Sequence, residues 1–495
     1  MTTPTSLETP ARIVAGVARP RRHDQHTGKD GLWSPKRRAL TTGLVLTITF
    51  VASEALAVVT IMPVVARDLG GLSLYGWAFS AFMLGNIAGV VAAGRYADRF
   101  GPARPFLGGL ALFSAGLAIA GLAPSMPVLV GGRAVQGAGA GAVFAVAYVA
   151  IGRSLPEQLR ARMMAVLSTA WVVPGLIGPA VSAAIASLVG WRWVFLGLLP
   201  LVAVTGSLAL PALRRLGKQP RPDGESAVTE HRLTDGIAVA AGAGVVLAGL
   251  TLASGSHQIP SAIAGIGLLG LGVAAVSVPL RRLLPGGTFA ARPGLPAVIL
   301  CRGLLSFTFF GADAYVTLTI TTVRHHSPAL AGVAVTGATL AWTAAAWLQS
   351  RLNGSWEARR LIGCGVAIIA VGLAAMVLVL LPAIPVYIGL AAWTVAGFGM
   401  GLASAPTSLL MLRQAPVGRE GWASASLNLA DVLGTAWGIG AGGAAVTAAS
   451  AHGWPLAIGV AIALAVAGVG AITLMAVSRR LPPGLPAMAA KTSAA

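Results

Sequence analysis

Residues 40–64 read LTTGLVLTITFVASEALAVVTIMPV, twenty-five positions in which Glu54 is the only ionisable group. About 20 apolar helical residues cross the roughly 30 Å hydrocarbon layer of a bilayer, so this stretch reads as a membrane span. Further runs follow at 73–95, 105–123, 126–150, 164–188, 193–212, 236–254, 261–280, 296–320, 328–349, 361–381, 384–409, 423–448 and 454–477, which makes fourteen spans. The composition agrees. Of 495 residues, 56% are hydrophobic and only 10% charged, whereas soluble domains carry about 25% charged residues. Lipid must solvate most of the chain, and soluble, disordered, collagenous and coiled-coil classes are excluded.

The formal charge of +20 would point to nucleic acid in a soluble domain. In a membrane protein the same excess follows from the crowding of basic residues into cytoplasmic segments. With the N-terminus inside, 30 of the 35 Lys and Arg residues fall in the eight segments on that side, and Arg67, Arg192 and Arg324 fall outside. Arg133 and Arg302 lie within spans. Both termini are therefore expected in the cytoplasm, with no nucleic-acid partner. Removing spans 7 and 8 together keeps this alternation, so twelve spans is the alternative. Residues 1–39 form a polar tail without the short apolar stretch of a signal peptide. The expected organisation continues with a six-helix bundle over 40–213, a linker over 214–235 and two inserted helices over 236–281. A second six-helix bundle over 282–478 and a tail over 479–495 complete it. Cys301 and Cys364 lie in apolar segments and all seven histidines in tails or loops, so neither a disulfide framework nor a metal site is expected.

Ionisable groups inside spans cost at least about 2.5–3.5 kcal/mol each and are functional candidates by default. Three acids qualify: Glu54 in span 1, Asp313 in span 9 and Asp431 in span 13. Glu54 lies deep in its helix, and Arg133 in span 4 is its candidate partner. Such a carboxyl either loads and releases a proton as its surroundings change or forms a static pair that fixes packing. Asp313 is flanked by Phe309, Phe310 and Tyr315, an aromatic setting suited to an apolar or cationic guest. Asn428 precedes Asp431 by one helical step, on nearly the same face. Asp313 and Asp431 each read as a second proton site, a cation contact or a polar tie between helices; Phe309, Tyr315 and Asn428 read as substrate contacts. Arg302, nearer the end of its span, is expected to snorkel to the interface.

Between spans 2 and 3 stands Gly94-Arg-Tyr-Ala-Asp98-Arg99-Phe-Gly101-Pro-Ala-Arg104. Gly94 would allow close helix approach and Gly101 a tight reversal, while Asp98 among Arg99 and Arg104 can form a charge network that breaks when domains move. This loop resembles the signature loop of the major facilitator superfamily, Gly-x-Leu-Ala-Asp-Arg-x-Gly-Arg-Lys, with Pro102 and Ala103 in place of the usual basic pair. Arg133-Ala-Val-Gln136-Gly137 resembles that family's Arg-x-x-Gln-Gly segment, which implies a proton-transfer role for Arg133. Pro174-Gly175-Leu-Ile-Gly178-Pro179 in span 5 is similar to the segment marking antiporters, and two prolines so close are expected to kink the helix. Glu54, followed nine residues later by Pro63, resembles the family's span-1 motif, with Glu in the Asp position. Trp191-Arg192-Trp193 before span 6 is a further likeness. The second half resembles the family mainly by its span pattern, with an echo of the loop at Gln349 to Arg360.

The resemblance, to fourteen-span drug/proton antiporters, implies an all-α membrane fold of two six-helix bundles plus two inserted helices. It implies a multi-pass cell-membrane protein that exports an amphipathic or drug-like small molecule in exchange for protons. No phosphate-binding Gly-x-x-x-x-Gly-Lys-Ser/Thr loop occurs, so no nucleotide cofactor is expected. No catalytic constellation appears in the spans, so an enzyme is not expected. A monomer is expected. The alternatives are an exporter of an endogenous lipid or metabolite and, further away, a non-transporting receptor or scaffold.

Overall fold

The computed structural model describes residues 31–35, 37–156, 159, 162–163, 166–167, 169–216, 226–256, 258–352, 356–416 and 419–482, the side chains of 98 and 226–232 excepted. Apolar runs of this length fold as helices because lipid offers no partner for an unpaired backbone amide or carbonyl. The first six are α1 (Arg38–Asp68), α2 (Tyr75–Phe100), α3 (Ala103–Gly121), α4 (Met126–Ser154), α5 (Val172–Leu188) and α6 (Leu199–Arg215). Two more follow, α7 (Ser226–Ser254) and α8 (Ile259–Leu283). The last six are α9 (Leu295–Leu318), α10 (Pro328–Leu352), α11 (Ala358–Leu378), α12 (Val386–Gln414), α13 (Glu420–Ala451) and α14 (Leu456–Ser478). Among the described residues thirteen of these are long and apolar enough to cross a membrane, and α5 is a shorter apolar helix. Fourteen helices match the expected span count. Helix α7 begins at Ser226, within the linker expected over 214–235, and its candidate membrane span begins at Leu233. Pro220, Pro222 and Gly224 confine the helix-breaking residues to the first part of that linker.

The packing is a repeat. In the first six helices α1 lies against α5 and α6, α4 against α2 and α3, and α3 against α6. In the last six α9 lies against α13 and α14, α12 against α10 and α11, and α11 against α14. The same small residues make both sets. A methyl group on Gly137 or Gly141 of α4 would strike the backbone carbonyls of Phe82 and Asn86 on α2, while one on Gly139 would strike Gly109 and Phe113 on α3. In α12, Gly397 and Gly401 meet the carbonyls of Ala338 and Trp342 on α10, and Gly399 meets Gly365 and Ile369 on α11. Without hydrophobic drive between helices in lipid, backbone-to-backbone approach through glycine supplies the packing energy.

The halves meet along α2–α13 and α5–α10, toward the end where α1 finishes. Gly76 abuts Gly443, Ser80 donates to the Ala436 carbonyl at 2.9 Å and Thr447 to the Ser73 carbonyl at 2.7 Å. Helices α7 and α8 pack on each other, and α7 covers the α2–α13 seam, with Trp77 donating to Thr251 at 3.0 Å. Ile259, Ile263 and Ile266 on α8 are exposed, as a lipid-facing helix requires. At the α1-finishing end Asp68 accepts from Trp191 at 2.8 Å and from Arg192 at 3.2 Å, which braces α1 against the turn before α6.

One π-helical turn, Thr319–Val323, extends α9 and delivers Arg324 to the end of α11. There its guanidinium donates to the carbonyls of Val379 (3.2 Å), at the C-cap of α11, and of Pro382 (3.3 Å) and Ile384 (2.8 Å), in the loop that follows. Hydrogen bonds to charged groups contribute about 1.5–3 kcal/mol. Arg324→Ala is therefore expected to lower the thermal midpoint in detergent, with Arg324→Lys recovering only part of it. An unchanged midpoint for Arg324→Ala would contradict this capping role.

Candidate functional site

In the first half Glu54 and Arg133 meet as a buried ion pair between α1 and α4, with side chains 1% and 3% exposed. Arg133 Nη1 donates to Glu54 Oε1 and, at 2.6 Å, to Gln136 Oε1. Its Nε donates to the Ala78 carbonyl at 3.0 Å, and its guanidinium carbon lies 4.3 Å from the centre of the Phe82 ring. Ala78 and Phe82 are within reach because Gly137 and Gly141 let α2 close on α4. Glu54 Oε2 and Gln136 Nε2 make no hydrogen bond to the described residues. Two charges removed from water survive only as a pair. Besides Glu54, Arg133 has three neutral partners, Gln136, the Ala78 carbonyl and the Phe82 ring. Ala78 and Phe82 had no role assigned from sequence, because their proximity depends on the α2–α4 contact, whereas Gln136 stands one turn from Arg133 on α4 itself.

Asp431 does not stand with Asn428. Arg302, expected to snorkel, turns inward instead: its Nε and Nη2 grip Asp431 Oδ1 and Oδ2 at 2.8 and 3.2 Å, and its Nη1 reaches the Ser404 carbonyl at 3.4 Å. Ser306 also donates to Asp431. A bidentate pair with a membrane-embedded carboxylate outweighs the pull of the interface, because separating the two would leave both charges uncompensated. The arrangement ties α9, α12 and α13. Asn428 is exposed on α13 and makes none of these contacts.

Asp313 accepts a hydrogen bond from Trp393 of α12 at 2.7 Å. Among the described residues no arginine or lysine comes within 4 Å of it. The aromatic setting expected from sequence is present, but only partly from the residues anticipated. Phe309 stacks on Trp393 with centroids 5.0 Å apart, and Phe310 and Trp342 pack edgewise against Phe309. Tyr315 is no guest contact. It is fully buried, donates to the Ile439 carbonyl and lies against Tyr75, whose hydroxyl donates to the Ala314 carbonyl at 2.7 Å. Its size and polar tip make it part of the seam between the halves.

The loop residues divide. Gly101 adopts φ +79°, a conformation that favours glycine, and so makes the reversal expected of it. Gly94 mediates no close approach: a methyl group there would meet nothing within 4 Å. Arg99 and Arg104 both lie against the Phe100 ring, 5.2 and 5.6 Å from its centre. The side chain of Asp98 lies outside the described residues, so its expected network does too. In α5 Pro174 sits in the first turn, where its missing N–H is not needed, and only Pro179 is interior. The break expected from two prolines precedes them, at Ala170 and Trp171. Gly175 packs on Thr339 and Pro179 on Gly332, both of α10.

These features accord with known proteins. Residues 42–311 match the family model described as Major Facilitator Superfamily. The chain is 27% identical over 468 residues to a probable multidrug-efflux transporter of Mycobacterium tuberculosis, covering 87% of this chain and 93% of that one. A multidrug transporter protein of Bacillus subtilis is 35% identical over 167 residues, covering 34% of this chain and 31% of its own. Among solved structures, a POT family transporter in complex with 5-aminolevulinic acid superposes with a TM-score of 0.64 at 14% identity, covering 89% and 96% of the two chains. The protein belongs to the major facilitator superfamily; it is a multi-pass membrane transporter, not an enzyme.

Proposed function

We propose that this protein is a proton-coupled antiporter that exports amphipathic or drug-like small molecules across the cytoplasmic membrane by alternating access. The observation that carries the proposal is the buried Glu54–Arg133 pair: a charged pair in the interior of a transporter half, with one carboxylate oxygen unpartnered. A carboxyl that trades a guanidinium for a proton changes the charge of its helix contact, and that change can be linked to rocking of the halves 40–213 and 282–478. Proton binding at Glu54 weakens its hold on Arg133, and release restores the pair. The names of the relatives support drug-like guests, and the likeness of Pro174–Pro179 to the antiporter segment supports exchange. With both termini cytoplasmic, the α2–α13 and α5–α10 seams lie at the external end, an arrangement closed to the outside. Asp431, held by Arg302, serves as a tie between helices.

The test is efflux of a fluorescent dye such as ethidium in energised inverted vesicles. The wild-type protein is expected to accumulate dye only while the proton gradient stands, and Glu54→Gln to lose that dependence. Gradient-driven transport undiminished in Glu54→Gln would remove Glu54 from coupling.

A further inference from the structure

Glu54 and Asp313 occupy matching positions in the two halves. Glu54–Ile61 reads EALAVVTI and Asp313–Ile320 reads DAYVTLTI, with acid, alanine, threonine and isoleucine in register. The two threonines behave alike: Thr60 donates to the Leu56 carbonyl at 3.1 Å and Thr319 to the Tyr315 carbonyl at 2.7 Å. The partners of the acids correspond as well. Arg133 stands four residues before Gly137 in R-x-x-Q-G-x-G-x-G, and Trp393 stands four before Gly397 in W-x-x-A-G-x-G-x-G. Each donates a hydrogen bond to the acid of its own half. The neighbour across the glycine contact differs in size: Phe82 faces Gly137 and lies against the arginine, whereas Ala338 faces Gly397.

The repeat has thus kept the acid and its donor but exchanged a cation for a neutral indole. Glu54 is sealed with its own counter-charge, whereas Asp313 is only partly buried and has none among the described residues. The other charged groups on the helices around it are spoken for or remote. On its own helix Arg302 is held by Asp431 of α13. Arg351 of α10, Arg359 and Arg360 of α11, Arg413 of α12 and Glu420 of α13 sit in the terminal turns of their helices, and α14 has no charged residue. On α1 Glu54 is paired with Arg133, with Arg38, Arg67 and Asp68 at the ends of the helix. On α2 the Tyr75 hydroxyl is bonded to the Ala314 carbonyl. What remains beside Asp313 is the cluster of Phe309, Phe310, Trp342 and Trp393, whose rings attract a cation by their quadrupoles.

We propose that Asp313 is a site where a proton and the positive charge of a transported molecule exclude one another, so that a monocation is exchanged for one proton more than a neutral guest. Binding of the cation breaks the O–H bond of the Asp313 carboxylic acid. The proton leaves to water on the side to which the site is open, and the carboxylate becomes the counter-ion of the guest. Release of the guest on the other side reverses the step with a proton from that side. A neutral guest leaves the Asp313 proton in place. The net charge moved per cycle is then the same for both guests, because the second half borrows from its cargo the cation that the first half carries as Arg133. This extends the antiport reading and rests on it.

The experiment uses purified full-length protein in detergent micelles, weakly buffered with a pH-indicator dye, and two probes of the same shape: tetraphenylphosphonium and neutral triphenylphosphine oxide. Wild-type protein is expected to release about one proton more per tetraphenylphosphonium bound than per neutral probe bound. Glu54→Gln is expected to keep that difference. Asp313→Asn is expected to lose that extra proton and to bind the cation at least about tenfold more weakly, and Trp393→Arg, which installs the partner of the first half, is expected to do the same. Equal proton release for both probes overturns the proposal using wild-type protein alone, as does a failure to bind the cation or a release undiminished in Asp313→Asn. Because binding in micelles needs no gradient, this outcome is independent of the dye-efflux test of Glu54.

Discussion

Replacing Arg133 by methionine is expected to destabilise the protein more than any other single change at the site, by about 3–5 kcal/mol, because it strands an acid inside the first half with no counter-charge. Glu54 is 1% exposed and has no second cation near it among the described residues, so no rearrangement of neighbours can replace the guanidinium. Adding Glu54→Gln to Arg133→Met removes the stranded charge and is expected to recover most of the thermal midpoint in detergent. The double variant should fold and still fail to couple transport to the gradient. That separation of folding from coupling distinguishes a proton-carrying pair from a static tie. A double variant that restores gradient-driven efflux along with stability would reduce the pair to a packing device. Equal destabilisation in the single and double variants would instead place the cost in lost packing of the long arginine side chain against Phe82.

The second large effect concerns the glycines that let the helices touch. Gly137→Ala and Gly397→Ala each push a methyl group into a backbone carbonyl, of Phe82 and Ala338 respectively, and a backbone cannot rotate out of the way. Overpacking costs about 1–3 kcal/mol, and these two should fall at the upper end of that range and close to each other, since they fill equivalent contacts. Gly131→Ala in α4 and Gly363→Ala in α11 meet nothing within 4 Å and serve as controls. Alanine favours a helix over glycine by about 0.5–1 kcal/mol, so the controls are expected to hold or raise the thermal midpoint. Controls that fall as far as Gly137→Ala would mean that glycine acts through something other than helix approach. In Gly137→Ala the displaced α2 also carries Ala78 and Phe82 away from Arg133, so coupling should suffer together with stability.

Apolar length alone predicted fourteen helices, because a bilayer leaves a long apolar stretch almost no other conformation, and the described helices agree with it. The lone acids within those stretches marked Glu54, Asp313 and Asp431, since the cost of burying a charge is paid only where it has a use. The glycine alternation at 137–141 recurs at 397–401, but the correspondence of Arg133 and Trp393 became visible only through the helices they pack against and the acids they bond. Partners were not legible as letters. Whether Arg302 would run to the interface or to Asp431 depended on which helix came to lie beside α9, and the presence of α13 there decided it. Tyr315 and Asn428 share an apolar helix context with true site residues, yet one is sealed in the seam between halves and the other is exposed. A helical pattern states which residues lie on one face. Only the packing of three or more helices decides whether that face meets a neighbour, a cavity or lipid, and the difference between a proton site, a cation site and a tie rests on that choice.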